Sequence, residues 1–212
     1  MIPVAAEAKT AIAAFLVLAV VLHALVGFTI AFPVWVIVIL MLIVFRDFSR
    51  AVPAQPLACI SPADGQVLGM GLERDPFLNR EALRIRLRQN RLGEFNINSP
   101  VEGEVEKRWS TSTGDRDTER SGTSPRAIAV WLQTDEKDDV VVAVDLNSPL
   151  RIMYFGIQPG ERVGQGQRCG IIGFGRPVDV YLPSSSHCKV KPGQRVKAGS
   201  DIIAKLRPIT QP

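Results

Sequence analysis

The sequence has little histidine and little cysteine, the side chains on which much catalysis and most zinc binding depend. Its 212 residues include three cysteines and two histidines. Cys59, Cys169 and Cys188 are odd in number and show no Cys-x-x-Cys spacing, which argues against a disulfide framework or a structural zinc site and is compatible with a reducing cytoplasm. We expect each to be a small buried hydrophobe, with Cys188 the one candidate for a functional thiol, and we expect no bound metal.

Charged side chains are missing altogether from residues 10 to 45. As one helix this run would be about 50 Å long, against the ~30 Å of hydrocarbon that a transmembrane helix crosses. Pro33 divides the run and suits a first helical turn, so the pattern predicts helices at about 9–31 and 33–46. A secretory signal peptide is the alternative, but its apolar core is only ~7–15 residues long. The sequence therefore predicts three parts: a retained membrane anchor over 1–46, a linker over 47–58 and a further domain over 59–212.

The few charges near the apolar run suggest an orientation. A helical hairpin leaves Lys9, Arg46 and Arg50 on one face, which the positive-inside tendency assigns to the cytoplasm. Glu7 and Lys9 cancel, so the whole formal charge of +4 belongs to the chain after the run. A basic domain beside a bilayer suits an anionic lipid, although +4 is also ordinary for this length. Basic helices and interleaved aromatic and basic residues are missing, so nucleic acid binding is not expected.

One segment is nearly a catalytic motif. Residues 173–183 read Gly-Phe-Gly-Arg-Pro-Val-Asp-Val-Tyr-Leu-Pro. This closely resembles the Phe-Gly-Ser-Arg-Val-Asp-Val-Tyr-Leu-Pro segment of the short, bacterial-type phosphatidylserine decarboxylases. In that family the Ser after Phe-Gly becomes a pyruvoyl prosthetic group. Here that position holds Arg176, and Pro177 follows where the family has Arg.

The resemblance extends over roughly residues 44 to 207. Residues 45–50, Phe-Arg-Asp-Phe-Ser-Arg, look like the family's Phe-Arg-Asp-Pro-Glu-Arg. Residues 60–67, Ile-Ser-Pro-Ala-Asp-Gly-Gln-Val, match its Ser-Pro-Ala-Asp-Gly-Lys-Val. Asp64 therefore takes the place of the family's catalytic aspartate, although Asp-Gly by itself is also a common turn pair.

The chemistry that the resemblance implies depends on one hydroxyl group. In the family the serine oxygen attacks the carbonyl of the preceding glycine, here Gly175. Elimination then cuts the chain and leaves a dehydroalanine, which hydrolyses with loss of ammonia to the ketone that binds the substrate amine. Arg176 has no β-oxygen and its guanidinium stays protonated, so ordinary pyruvoyl formation is excluded and we expect no prosthetic group. It would instead place a fixed cation where the substrate carboxylate or phosphate sits, which suits anion recognition.

A second departure concerns the base that primes the serine. The family reads Asp-Val-His-Val-Asn-Arg-x-Pro-Val where residues 94–101 read Glu-Phe-Asn-Ile-Asn-Ser-Pro-Val, so Asn96 aligns with the histidine. An amide cannot take up a proton near neutral pH, whereas imidazole does. His23 is expected to be a lone polar residue in a membrane helix. His187 is expected to be a solvated turn residue or, alternatively, a substitute base.

The resemblance implies further site residues. Glu119 and Arg120 stand where the family has Asn-Glu-Arg. They belong to a polar stretch, 108–126, which is typical of a flexible loop and in a decarboxylase would lie near the substrate. Asp179 and Tyr181 belong to the motif itself and are expected to contact substrate.

Two internal repeats predict the architecture. The pattern Ser-Pro-x-x-Gly-x-Val at 61–67 recurs at 99–105, and Pro-Gly-x-Arg-Val-x-x-Gly at 159–166 recurs at 192–199. Each predicts a turn that feeds a short strand. The unit resembles the barrel-sandwich hammerhead of biotinyl and lipoyl carriers, to which the decarboxylase core is similar. We therefore expect a mainly β domain, of α+β type, after the two-helix anchor.

A carrier function is one alternative that this fold suggests. A carrier domain presents one lysine on an exposed hairpin, for which Lys137 is the candidate. However, its charged turn precedes a valine run and does not join the two Pro-Gly repeats. A solvated turn is the better interpretation.

The resemblance predicts a bacterial inner-membrane protein that has lost two of three catalytic positions. We expect a degenerate family member that binds an anionic phospholipid, with phosphatidylserine the candidate, or that partners an active paralogue or a second copy of itself. Two alternatives stay open. One is a working decarboxylase that makes phosphatidylethanolamine through a displaced prosthetic group, for which Gly199-Ser200 is the one Gly-Ser pair in the chain. The other is a non-catalytic membrane scaffold.

Overall fold

The chain forms two compact units, Met1–Ser49 and Arg50–Pro212. The computed structural model describes residues 9–44, 50–53, 55–90, 95–110, 127–145, 153–173 and 175–207. The first unit contains the helices α1 (Lys9–Val26) and α2 (Phe28–Val44). The strands of the second unit are β1 (Ala58–Ile60), β2 (Gly65–Asp75), β3 (Arg80–Gln89), β4 (Asn96–Asn98), β5 (Gly103–Ser110), β6 (Ala127–Gln133), β7 (Asp139–Asp145), β8 (Met153–Phe155), β9 (Arg162–Val163), β10 (Arg168–Ile172), β11 (Pro177–Pro183), β12 (His187–Cys188), β13 (Arg195–Val196) and β14 (Ile202–Lys205).

The break between the helices lies at Gly27. Its φ of 91° is a left-handed conformation that glycine adopts without steric cost, and its N–H donates to the carbonyl of His23 at 3.2 Å. Pro33 lies inside α2. The predicted break between helices 9–31 and 33–46 is therefore wrong, because a proline close to a helix start removes only one backbone bond, whereas a glycine at positive φ ends the helix. The predicted end at 46 lies outside the described residues. By length and composition α1, with a mean hydropathy of 2.2, is a candidate membrane span.

The second unit is mainly β, as predicted. Eight strands form one curled sheet in the order β13-β2-β3-β11-β7-β6-β5-β9. Two smaller sheets have the orders β1-β14-β12 and β4-β10-β8. Neighbouring strands run antiparallel in all three.

The large sheet is internally duplicated about a pseudo-twofold axis. Strands β13, β2, β3 and β11 correspond to β9, β5, β6 and β7, and the axis lies between β11 and β7, where Val180 pairs with Val142. The two small sheets correspond to each other in the same way. Backbone hydrogen bonds repeat between the halves in matched pairs. The N–H of Ile60 donates to the carbonyl of Pro100 at 2.9 Å, and that of Asn98 donates to Pro62 at 2.8 Å. Two further pairs match in the same way: Gly193 to Val67 with Gly160 to Val105 (2.8 and 2.7 Å), and Gly199 to Ser61 with Gly166 to Ser99 (both 2.9 Å).

One half is inserted into the other. Strands β4 to β10 form the second half from a continuous stretch of chain, whereas the first half consists of β1–β3 and β11–β14. The chain therefore leaves the first half after Gln89 and returns to it at Pro177. In the second half the equivalent strands, β6 and β7, are joined directly by a short turn. These two crossings between the halves position the candidate site.

The main core lies on one side of β11. Val178, Val180 and Leu182 are fully buried there. Because alternate residues of a strand point to opposite faces, Asp179 and Tyr181 lie on the other face of the sheet. That face carries a second, smaller apolar cluster, which consists of Ala82, Ala127, Ala129, Val141, Ala143 and Tyr181, with Phe77, Leu78, Trp109 and Trp131 packed against it.

Candidate functional site

Asp64 is held by three groups where β1 leads into β2. Its carboxylate accepts hydrogen bonds from Nη1 and Nη2 of Arg50, the second at 2.9 Å, and from the N–H of Ala198 at 2.7 Å. Nη1 of Arg50 also donates to the carbonyl of Ala198 at 3.0 Å. Gly65, the first residue of β2, lets β2 and β3 approach closely, because a Cβ there would lie 2.2 Å from the carbonyl oxygen of Arg88. The Asp-Gly pair therefore combines an ion-pair site with a close approach of two strands, and Gly65 lacks the positive φ of the common Asp-Gly turn.

Gln89 connects the segments of the site. Its N–H donates to the carbonyl of Arg176 at 3.0 Å and its Nε2 donates to the carbonyl of Ile172 at 2.9 Å. The next N–H, that of Asn90, donates to the carbonyl of Asp64 at 2.9 Å. Gln89 is 1% exposed. Sequence reasoning missed this residue, although an amide at an inward position of an otherwise apolar strand face was a possible signal.

Asn96 begins β4 immediately after the first crossing. It is buried and pairs with Ile171 of β10, the neighbour of Ile172. Through Ile172 and Gln89 it is therefore linked to the frame that carries Asp64 and Arg176. The structure thus brings the three candidate positions Asp64, Asn96 and Arg176 to the two crossings between the halves.

Arg176 follows the second crossing and is 1% exposed. Its Nη1 donates to the backbone carbonyl of Asp145 at 2.9 Å. Gly175, before it, has a φ of 70°, which favours glycine. The family's pyruvoyl group does not fit here, because residue 176 offers a guanidinium and no β-oxygen. Anion binding by Arg176 stays a prediction, and its burial favours an internal role.

Asp179 and Tyr181 belong to an ion-pair network on the other face of β11. Asp179 accepts from Nη2 of Arg84 at 3.0 Å and from Nε and Nη2 of Arg86 at 3.0 and 3.3 Å. The Arg84 guanidinium lies 5.8 Å from the centre of the Tyr181 ring. Burial would lower the pKa of Arg84, but its bonds to Asp179 and Glu73 raise it, and burial raises the pKa of Tyr181 to about 12. Substrate contact by either residue stays a prediction.

The remaining candidates lie elsewhere or outside the described residues. Glu119 and Arg120 fall outside them. His187, on β12 of a small sheet, accepts a hydrogen bond at Nε2 from Nε of Arg207 at 2.9 Å, and its role as a substitute base stays a prediction. Lys137 lies in the β6–β7 turn with a φ of 65°, and its Nζ donates to Oε1 of Gln133 at 2.9 Å. Within the described ranges, the His, Cys, Asp and Glu side chains form no cluster that could hold a metal ion.

The second half contains a counterpart of the Asp64 corner. Glu102 is the equivalent of Asp64 in the sequence repeat. It pairs with Arg162 at 3.2 Å, and Arg162 also binds Asp135 at 2.6 Å. These three side chains are all largely exposed, so this corner holds a surface ion pair where the first half holds a half-buried one.

The motifs around Asp64 and Arg176 point to the decarboxylases as the class of protein, and comparisons with known proteins identify the family. The family model described as phosphatidylserine decarboxylase matches residues 96–204. The phosphatidylserine decarboxylase proenzyme of Burkholderia vietnamiensis is 36% identical over 207 residues, which cover 96% of each chain. That of Burkholderia lata is 35% identical over 205 residues with the same coverage. This chain belongs to the phosphatidylserine decarboxylase family, which confirms the resemblance seen in its motifs.

A solved structure with a distant likeness is glucose permease IIA from Mycoplasma capricolum. It is 13% identical, with a TM-score of 0.44, over 70% of this chain and 94% of that one. A likeness at this level carries no argument about fold or function.

Proposed function

We propose that this chain is a non-catalytic, membrane-associated member of the family that binds an anionic phospholipid. The observation that carries the proposal is the state of Arg176. Arg176 stands in the place of the residue that the family cuts and converts. It is 1% exposed, and its Nη1 donates a hydrogen bond to the carbonyl of Asp145. A side chain packed in this way contributes to the fold, and it offers no nucleophile.

The rest of the site supports the interpretation that the fold is kept while the catalytic groups are lost. The hydrogen bonds from Gln89 to the carbonyls of Arg176 and Ile172 are formed, whereas Asn96 supplies an amide where the family has its base. Asp64 is retained, but Arg50 and Ala198 already bind both of its oxygens. The structural duplication also supports the barrel-sandwich likeness of the unit.

Membrane association is supported by the helical unit considered by itself. α1 has the length and hydropathy of a span, and large apolar side chains on both helices are exposed, Leu25 of α1 by 78% and Phe28 of α2 by 58%. Such surfaces suit a hydrocarbon environment. We place the helices in the bacterial inner membrane and the β unit in the cytoplasm.

The first test is the intact mass of the detergent-purified full chain. We expect one species near 23.2 kDa, which means that no self-cleavage has occurred. A double variant, Arg176→Ser with Asn96→His, restores the two missing groups in an intact frame, and we expect part of it to be cut into residues 1–175 and 176–212. Arg176→Ala with Asn96→His is the matched control and should stay whole. Cleavage of the natural chain between residues 175 and 176 would sink the proposal.

An active enzyme with a displaced cleavage site is the second candidate, favoured by one contact. The Gly199-Ser200 pair directly follows Ala198, whose N–H donates to the carboxylate of Asp64 at 2.7 Å. The same mass measurement separates the two candidates. Fragments 1–199 and 200–212, with a borohydride-reducible carbonyl on the second, would establish the displaced site.

Lipid binding is tested by native mass spectrometry of the detergent-purified chain. Phosphatidylserine and phosphatidylcholine with the same acyl chains are added in parallel, and we expect more phosphatidylserine to be retained. Arg176→Ala tests whether that side chain is a ligand: an internal role lowers stability, and an anion-binding role lowers retention. Equal retention of the two lipids, together with a stable protein partner, would instead favour the paralogue or scaffold alternative.

A further inference from the structure

The two equivalent Pro-Gly turns differ in charge. Residues 191–199 read Lys-Pro-Gly-Gln-Arg-Val-Lys-Ala-Gly, with three basic residues and none acidic. Residues 158–166 read Gln-Pro-Gly-Glu-Arg-Val-Gly-Gln-Gly, with one of each. Their backbones are alike, since Gly193 and Gly160 have φ angles of 84° and 83°. The fold therefore does not require the extra positive charge of the first turn.

Those basic side chains are available to a ligand. Lys191, Arg195 and Lys197 are all exposed. We call this group the basic turn. Near an anionic membrane each such residue strengthens binding by about fivefold, so three together suit binding to anionic lipid headgroups.

The chain enters the β unit beside the basic turn. Arg50 binds Asp64 and the carbonyl of Ala198, the residue after Lys197. In the second half, Glu102 pairs with Arg162, which belongs to the repeat itself, so the use of an arginine from outside the repeat is peculiar to the first half. Val52 lies against the other turn, at Gly166, where a Cβ would be 2.5 Å from its Cγ2 and 3.6 Å from the carbonyl oxygen of Gly199.

The connection to the helices is short. Arg50 is the sixth residue after Val44, where α2 ends. Six residues of extended chain span at most about 20 Å. The covalent connection between Val44 and Arg50 is therefore no longer than that.

We propose that the basic turn is a docking surface for anionic phospholipid headgroups, and that the Arg50–Asp64 ion pair is a latch that holds this surface toward the bilayer. The proposal rests on the membrane association proposed above and names the part of the chain that meets the lipid. Asp64 is then a positioning residue. Its carboxylate orients the unit through Arg50.

The test measures how close two points of the β unit lie to lipid headgroups. The full chain, with its three natural cysteines replaced, is reconstituted in nanodiscs of phosphatidylcholine with or without phosphatidylserine. A fluorophore is attached at Ser200→Cys, beside the basic turn, or at Glu81→Cys, an exposed position near the far end of β3. The distance along β3 from Gln89 to Glu81 is about 26 Å. Lipids with nitroxide headgroups quench a fluorophore that lies near them.

We expect the probe at residue 200 to be quenched more than the probe at residue 81, and the difference to grow when phosphatidylserine is present. A turn-exchange variant, Lys191→Gln with Gln194→Glu and Lys197→Gly, gives the first turn the charges of the second, and it should lose the dependence on phosphatidylserine. Arg50→Gln should lose the difference between the probes. Glu102→Gln, at the equivalent acid, should keep it.

The reciprocal exchange, Arg50→Asp with Asp64→Arg, tests the latch if Arg50→Gln does not fold. A restored ion pair should restore the difference in quenching between the two probes. Equal quenching of the two probes in the natural chain overturns the proposal. A difference that survives Arg50→Gln overturns the latch, and one that survives the turn exchange unchanged overturns the docking surface. Failure of the chain to enter nanodiscs at all would refute the proposed membrane association instead.

Discussion

Arg176 and Asp138 occupy equivalent positions on the two sides of the pseudo-twofold axis. The carbonyl of Arg176 accepts the N–H of Gln89 at 3.0 Å, and the carbonyl of Asp138 accepts the N–H of Thr134 at 3.0 Å. Thr134 and Asp138 are joined by a short turn, whereas Gln89 and Arg176 are joined through the whole second half.

This relationship bears on the cleavage position that the sequence motif predicts, between Gly175 and Arg176. The chain at Arg176 directly precedes β11, which pairs with β3 on one side and β7 on the other. A cut before Arg176 therefore leaves β11 held by strand pairing on both sides. The equivalent cut before Asp138 would open a tight hairpin turn.

The first prediction concerns the three thiols. Cys59 and Cys169 are buried, burial raises the pKa of both thiols, that of Cys169 to about 12, and Cys188 is half-buried. We therefore expect one thiol per chain to react with a disulfide reagent under native conditions at pH 8 and three after denaturation. Cys188→Ser should abolish the native reaction. Rapid reaction of two thiols in the folded chain would contradict the burial of Cys59 or Cys169.

The second prediction concerns Asp179. Replacing it by Asn removes the charge that Arg84 and Arg86 share, and we expect the free energy of unfolding to fall by about 2 kcal/mol. Thermal or denaturant unfolding of the detergent-solubilised chain measures this. Glu104→Gln, at an exposed position on β5, is the control and should change little. If Asp179 serves substrate alone, its replacement should leave stability unchanged and lower ligand binding.

A third prediction compares two glycines of β2. A Cβ at Gly65 would lie 2.2 Å from the carbonyl oxygen of Arg88, whereas a Cβ at Gly69 meets nothing within 4 Å. Gly65→Ala should therefore destabilise the chain by about 1–3 kcal/mol, because the backbone must move. Gly69→Ala should be neutral or slightly stabilising, since alanine reduces the freedom of the unfolded chain. Equal effects of the two changes would show that β2 and β3 do not approach as described.

The fourth prediction is a pH dependence at Asp75. Burial raises the pKa of this carboxyl, although its Oδ1 accepts the N–H groups of Phe77 and Leu78 at 2.8 and 3.4 Å. A raised pKa means that the folded state holds the proton more tightly than the unfolded state. Its contribution to stability is therefore complete below the unfolded pKa of about 4 and is lost as the pH rises through the folded pKa.

Asp75→Asn keeps the acceptor oxygen and cannot ionise. Relative to the natural chain it should become progressively more stable as the pH is raised from about 4 toward 7. The comparison is made by denaturant unfolding at a series of pH values. Glu81→Gln, an exposed change on the neighbouring strand, provides the baseline. A constant difference across the pH range would mean that Asp75 does not carry a raised pKa.

Much of the fold followed from local sequence patterns. The repeats at 61–67 and 99–105 were recognisable because a Ser-Pro turn, a glycine at a close approach and a buried valine each need a particular residue type. The helix break was predicted at Pro33 and lies at Gly27, because both residues interrupt helices and only the backbone conformation selects between them. The inserted topology was not predicted, since strand pairing between distant segments leaves no local pattern.

The sequence by itself determined the family of this protein and the chemistry that residue 176 cannot perform, because a covalent reaction depends on atoms that the side chain has or lacks. Only the tertiary structure decided which partners these residues have. It pairs Asp64 with Arg50, buries Arg176 against Asp145 and makes Gln89 the connection between segments. Such contacts depend on the register of strands that are far apart in the chain, and register is settled by packing of the whole unit.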